Sequence, residues 1–147
     1  MPSIMRSINV ISRCATVYRA DRLPDSEITP CHHVYIFAIC KHPGISQEQL
    51  ARHICINKST VTRTLSYLED HGYVTRRQSE TDKRITKVFP TQKMFDIHPK
   101  IKAISDDWNA YLCAELSEEE RAGFGAILEK LQARAQKYID TKDEQKT

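Results

Sequence analysis

The residues of this chain best equipped to bind something lie on the segment KSTVTRTLSYLED (58–70) and on the cations that follow it. At about 100° per helical residue, Val61, Leu65 and Leu68 fall on one stripe, while Ser59, Thr62, Arg63 and Ser66 fall roughly opposite. Lys58 and Thr60 stand in the first turn of the same segment. The polar face therefore offers hydroxyls, which can bond phosphates or base edges, and an arginine, which can fork onto guanine. It carries no acid, whereas a helix that is merely solvated mixes both signs of charge. Residues 58–90 hold seven Lys/Arg (58, 63, 76, 77, 83, 84, 87) against four Asp/Glu (69, 70, 80, 82). That local excess equals the formal +3 of the whole chain, so the remainder sums to zero. A neutral body with one basic element fits a nucleic-acid reader better than a general polycation.

A second set with chemical potential is Cys31, His32 and His33, with His98 later in the chain. These are soft enough for zinc, and a metal-sensing alternative would rest on Cys31, His33 and His98. Adjacent histidines on a helix point about 100° apart, so at most one of the pair joins Cys31 comfortably. Cys31 as a nucleophile, with His32 or His33 as base, lacks an orienting acid nearby and a Gly-rich turn. No catalytic residue and no cofactor is expected. The five cysteines (14, 31, 40, 55, 113) contain no C-x-x-C pair and are odd in number. This argues against both a zinc finger and a secreted disulfide framework. The longest apolar run is VYIFAIC (34–40), and the N-terminus lacks a signal-peptide pattern, so a cytoplasmic protein without a membrane span is expected.

The elements that must position the basic face read clearly. Residues 3–22 carry Ile4, Ile8, Ile11, Ala15 and Tyr18 at helical steps, and LPDSEI (23–28) breaks that helix. Thr29 and Pro30 form an N-cap and first-turn proline for a second helix, with Val34, Phe37 and Ala38 inward. Ser46 and Gln49 make a capping box for a short helix over 46–54, and Cys55 and Ile56 make the turn. Asn57 caps the next helix and Gly72 stops it, which completes the spacing of a helix-turn-helix. YVTRRQ (73–78) and ITKVF (85–89), joined by SETDKR (79–84), predict a two-stranded hairpin bearing Arg76, Arg77, Lys83, Arg84 and Lys87. Its tip is expected at phosphates or in the minor groove, unless the hairpin is simply an edge charged for solubility.

From Thr91, Met94, Ile97, Ile101, Ile104, Trp108 and Tyr111 predict a long helix that Pro99 bends early. Ser117 and Glu120 open a last helix with Phe124, Ile127, Leu128, Leu131, Ala135 and Tyr138 as its stripe, and the charged 141–147 is expected to fray. The fold class is thus mainly α (α+β): a winged helix-turn-helix over 29–90, with dimerisation helices in 1–28 and 91–147. Three long apolar stripes beside a module that closes its own core need each other or a second copy. A two-fold homodimer would set two reading helices about one DNA turn apart, as an inverted repeat in double-stranded DNA requires. A winged-helix module that binds another protein is the alternative that salt dependence would separate.

This order of elements resembles the multiple-antibiotic-resistance regulator (MarR) family of bacterial transcription factors over nearly the whole chain. The most specific patches are ISQEQLARHICINKSTVTRTLSYLEDHGYVTR (45–76) and the wing motif TDKR (81–84). The resemblance implies that Asp82 steadies the wing and that Arg84 reaches the minor groove. It also implies a homodimeric DNA-binding regulator, most simply a repressor, released by a small phenolic or aromatic carboxylate. Arg13, Arg19, His33 and Tyr35 stand near the junction where such a ligand would sit, and each could meet a carboxylate or a phenol. Two departures are evident. Pro90 and Met94 stand where the family often has Leu and Gly after the wing. Met5 occupies the place of the reactive cysteine of the hydroperoxide-sensing subfamily, while Cys14 lies further along the helix and reads as a packing residue.

Overall fold

The computed structural model describes residues 3–146. They divide into two compact units, the first reaching Trp108 and the second starting at Asn109. Six α-helices and three strands follow in the order α1 (Ile4–Arg22), α2 (His33–Lys41), β1 (Ile45–Ser46), α3 (Gln47–Ile54), α4 (Lys58–Asp70), β2 (Val74–Gln78), β3 (Thr86–Pro90), α5 (Gln92–Leu112) and α6 (Glu118–Glu144).

The helix starts are where the capping residues place them. Ser3 accepts the Arg6 amide at the head of α1, Asn57 accepts the Thr60 amide at the head of α4, and both S-x-x-Q at Ser46 and S-x-x-E at Ser117 close as reciprocal capping boxes. The α3–α4 turn passes through Cys55 at φ 56°, and α4 ends at Gly72 at φ 78°, a conformation glycine adopts without strain. Pro30 opens a single 3₁₀ turn (Pro30–His32) before α2 rather than the first turn of α2 itself. The inward face of α2 is also rotated from expectation. Tyr35, Ile36, Ala38 and Ile39 are buried, whereas Val34 and Phe37 only pack against the edge of the core. A nearly all-apolar helix gives periodicity little contrast, and the deeper residues are those the neighbouring helices surround.

The hairpin is joined by a strand the sequence did not suggest. Ile45 and Ser46 pair antiparallel with Val88 and Lys87, giving a three-stranded sheet in the order β1-β3-β2. Two residues are too short to show alternation, so only the pairing partner reveals the strand. The core of the first unit joins Ile36 and Ile39 of α2, Leu50 of α3, Val61, Leu65 and Leu68 of α4, Val74 and Val88 of the sheet, and Met94, Ile101 and Ile104 of α5. Met94 is fully enclosed, so the large side chain at this departure from the family pattern fills the core. Thr91 prepares that entry, its hydroxyl donating to the Gly72 carbonyl at 2.6 Å and accepting the Met94 amide at 3.4 Å. With Pro99 inside it, α5 runs from Gln92 to Leu112.

In the second unit α6 continues to Glu144, past the point where fraying was expected, with Thr141 bonding back to the Lys137 carbonyl at 2.8 Å. None of its residues is buried, and Phe124, Ile127, Leu128, Leu131, Tyr138 and Ile139 are all exposed.

Candidate nucleic-acid interface

Helix α4 buries Val61, Leu65 and Leu68 and turns Ser59, Thr62 and Arg63 to solvent. Asn57 organises the first turn, because its Oδ1 accepts both the Thr60 amide at 2.8 Å and the Ser59 hydroxyl at 2.9 Å. Arg63 Nη2 donates to Thr60 Oγ1 at 3.3 Å, which ties the guanidinium to the same turn. Lys58 reaches Glu48 of α3 at 3.1 Å, a pair exposed on both sides and therefore easily exchanged for a phosphate. Ser66 differs from the others. It is half-buried, donating to the Thr62 carbonyl at 3.0 Å and accepting Arg76 Nη2 at 3.1 Å.

Arg76 is the residue sequence reasoning misplaced. Expected among the cations displayed by the wing, it turns inward and binds both carboxylate oxygens of Glu69 with its backbone and side-chain N–H groups, at 2.9 to 3.3 Å. It also donates to Gln47 Oε1 at 3.3 Å, and Gln47 Nε2 reaches Thr62 Oγ1 at 3.5 Å. One guanidinium thereby connects β2, α3 and α4 and fixes the outer face of the reading helix. The signal was present: side chains two apart on a strand share a face, and Val74 points into the core.

The wing tip is built around Asp82. Its Oδ1 accepts the Arg84 amide at 3.0 Å and Nε at 3.1 Å, and its Oδ2 accepts Nη2 at 3.1 Å. The Arg84 guanidinium holds the Asp82 carboxyl below the usual carboxylate range, and Asp82 in turn raises Arg84. Arg84 remains 91 % exposed while its direction is set. Lys83 beside it is exposed, and Arg77, opposite Lys87 in the hairpin register, lies 4.2 Å above the Phe89 ring. The site is a row of hydroxyls and Arg63 on one helix beside a cationic tip, with Arg76 withdrawn as a brace.

The structure sorts the remaining candidates. Arg19 of α1 is close enough to His33 of α2 to lower its pKa, although burial of the imidazole is the larger cause, and His33 Nδ1 lies 2.7 Å from the Pro30 carbonyl. Tyr35 is almost fully enclosed in the core, where burial raises its phenol. Arg13 is exposed on α1. The metal alternative does not assemble: among the described residues no three His, Cys, Asp or Glu side chains gather as a metal site, and Phe37 stacks edge-on with both His33 and His98.

His32 has a structural task instead. Its Nδ1 accepts the Thr29 amide at 3.0 Å, and its ring stacks on Tyr67 of α4, whose hydroxyl donates to the Glu27 carbonyl at 2.7 Å. Burial, then the nearby His71, lowers the His32 pKa from 6.5. Because the folded value lies below the unfolded one, the unfolded chain takes the proton first as pH falls. The stability that neutral His32 contributes is full above pH 6.5 and declines as pH drops from there through the lowered folded value. Thermal unfolding midpoints should therefore fall as the pH drops below 6.5. His32→Asn, which keeps an acceptor near Nδ1, should flatten that dependence; an unchanged profile would assign it to other groups.

Residues 28–86, which contain the whole reading helix and the wing through Arg84, match the model of the MarR family. Over those residues the chain is similar to the MarR family. Across 131 residues, 89 % of this chain and 87 % of the other, the sequence is 28 % identical to YybA, an uncharacterized HTH-type transcriptional regulator of Bacillus subtilis. Among solved structures, a MarR transcriptional regulator from Methanosarcina mazei superposes with a TM-score of 0.85 at 27 % identity, over 92 % of this chain and 97 % of that one. A MarR-family regulator from Listeria monocytogenes, crystallised with a 26mer DNA, superposes with a TM-score of 0.86 at 26 % identity, covering 93 % and 91 %. Over those residues the chain is similar to transcriptional regulators, one of them crystallised with DNA. The family and these relatives regulate transcription rather than catalyse reactions, which removes the enzyme reading of Cys31. No described helix is long and apolar enough to cross a membrane.

Proposed function

We propose that this regulator acts as a homodimeric repressor that places the α4 helices of two copies in successive major grooves of an inverted repeat and is released by a small aromatic acid. In this reading residues 29–90 bind DNA, while residues 1–28 and 91–147 pair with the second copy in the cytoplasm. The observation that carries it is the outer face of α4, to which that helix contributes Lys58, Ser59, Thr60, Thr62 and Arg63 and no acid, and the wing, which presents Arg77, Lys83 and an Asp82-steadied Arg84. Ser66 contributes from the edge of that face. The dimer is supported by exposed apolar surface, namely Ile4, Ile8 and Ile11 on α1 in the first unit and the row along α6 in the second. Ligand release is supported by Arg19 beside His33, a cation and a neutral imidazole where α1 and α2 approach. Arg13 and Tyr35 complete the proposed ligand set more remotely.

Selection of sites from random double-stranded DNA with the full chain tests the reading. Dyad-symmetric sites with half-sites about one helical turn apart are expected. A panel of aromatic acids, salicylate first, should then lower affinity for the selected site by about 5–150-fold, with DNA weakening ligand binding by the same factor. Sites without dyad symmetry would reject the dimer arrangement, and an affinity untouched by every acid would reject ligand release.

A further inference from the structure

Three hydroxyls of α4, those of Ser59, Thr62 and Ser66, are not free to act both as donors and as acceptors. Thr62 Oγ1 lies 2.9 Å from the Lys58 carbonyl and Ser66 Oγ 3.0 Å from the Thr62 carbonyl. A carbonyl only accepts, so each hydroxyl gives its single proton back to the helix. Ser59 Oγ lies 2.9 Å from Asn57 Oδ1, an atom identified as the amide oxygen because it also accepts the Thr60 N–H. Its proton is engaged as well. On the accepting side Thr62 takes Gln47 Nε2 at 3.5 Å, and the Gln47 amide is oriented by Arg76, which donates to its Oε1. Ser66 takes Arg76 Nη2 at 3.1 Å. A hydroxyl has one proton and two lone pairs. Ser59 thus retains two accepting positions, Thr62 and Ser66 one each, and none retains a proton for an outside group.

Phosphate oxygens only accept, so these three hydroxyls cannot bond the DNA backbone without first breaking a bond inside α4. In the major groove the donors are the N6 amino group of adenine and the N4 amino group of cytosine, whereas guanine O6 and N7 and thymine O4 accept. We infer that Ser59, Thr62 and Ser66 are specificity-determining acceptors that favour adenine or cytosine amino groups, while Arg63 supplies the donors of the same face. The inference rests on α4 entering the major groove and adds the polarity with which it reads. Thr62 and Ser59 are exposed and Ser66 half-buried, so Thr62 carries the test.

The experiment uses the full chain, its selected DNA site, and Thr62→Val, which keeps the branched shape and removes the hydroxyl. Affinity is measured on the selected site and on sites in which single adenines are replaced by purine, or cytosines by 2-pyrimidinone, each lacking the amino group. Deleting one particular amino group should weaken the wild-type protein about three- to tenfold. Thr62→Val should show the same loss on the intact site and no further loss on the deleted one, with an unchanged salt slope. A uniform weakening of Thr62→Val on all sequences with a flatter salt slope would place the hydroxyl on a phosphate and overturn the inference. So would a loss that tracks guanine or thymine acceptors, or a Thr62→Val that binds every site as the wild type does. Indifference of both Thr62→Val and Arg63→Ala to every base change, with DNA binding retained, would reject instead the placement of α4 in the groove.

Discussion

Leu131→Glu is expected to leave each chain folded and to abolish the dimer, while Ile104→Glu is expected to destabilise the fold of each chain itself. Both positions read from the sequence as parts of one dimer surface, but they differ within a single chain. Ile104 is 8 % exposed in the core of the first unit and Leu131 is 42 % exposed on α6. A carboxylate at Ile104 would lose its hydration without a partner, a cost of about 3–5 kcal/mol out of the roughly 5–15 kcal/mol by which domains are stable. A carboxylate at Leu131 remains hydrated in the lone chain and meets that cost only when a second copy covers α6. Sedimentation at micromolar concentration should show a folded monomer for Leu131→Glu, with helical circular dichroism retained. A Leu131→Glu protein that still sediments as a dimer and binds its site tightly would show that α6 does not form the interface.

Reading and clamping should separate in the second large effect. Arg63→Ala is expected to cost about 1–3 kcal/mol on the selected site and to relax base preference at one position of each half-site. Arg84→Ala is expected to weaken binding to many sequences alike and to reduce the salt slope by about one. The physical difference is already visible. Arg63 is tied by Thr60 to the face of α4, while Arg84 is aimed by Asp82 from an exposed tip. Equal behaviour of the two variants across a set of sites would mean that the helix and the wing have exchanged roles.

The helices, their caps and the reading face were legible because local rules determine them. Asn57, Ser46 and Ser117 cap the helices they precede, and the Val61, Leu65 and Leu68 stripe is the buried one. What the sequence concealed depends on tertiary partners. Strand β1 exists only through its bonds to β3, and the inner face of α2 is chosen by what surrounds it. Arg76 looks like any wing cation until Glu69 and Gln47 are placed beside it. Ile104 and Leu131 both lie on apolar stripes, and periodicity cannot tell a stripe buried in its own chain from one left for another copy. Ser59, Thr62 and Ser66 were legible as polar groups, but not the internal acceptors that engage their protons, since those depend on where each side chain turns.

Two copies are proposed to share one DNA site through paired α4 helices. The stoichiometry of the complex on a single selected duplex, measured by sedimentation across a titration, tests it most directly. Two chains per duplex are predicted, binding together without a detectable one-chain complex. A stable complex of one chain with one duplex, formed at the same concentrations, would contradict it.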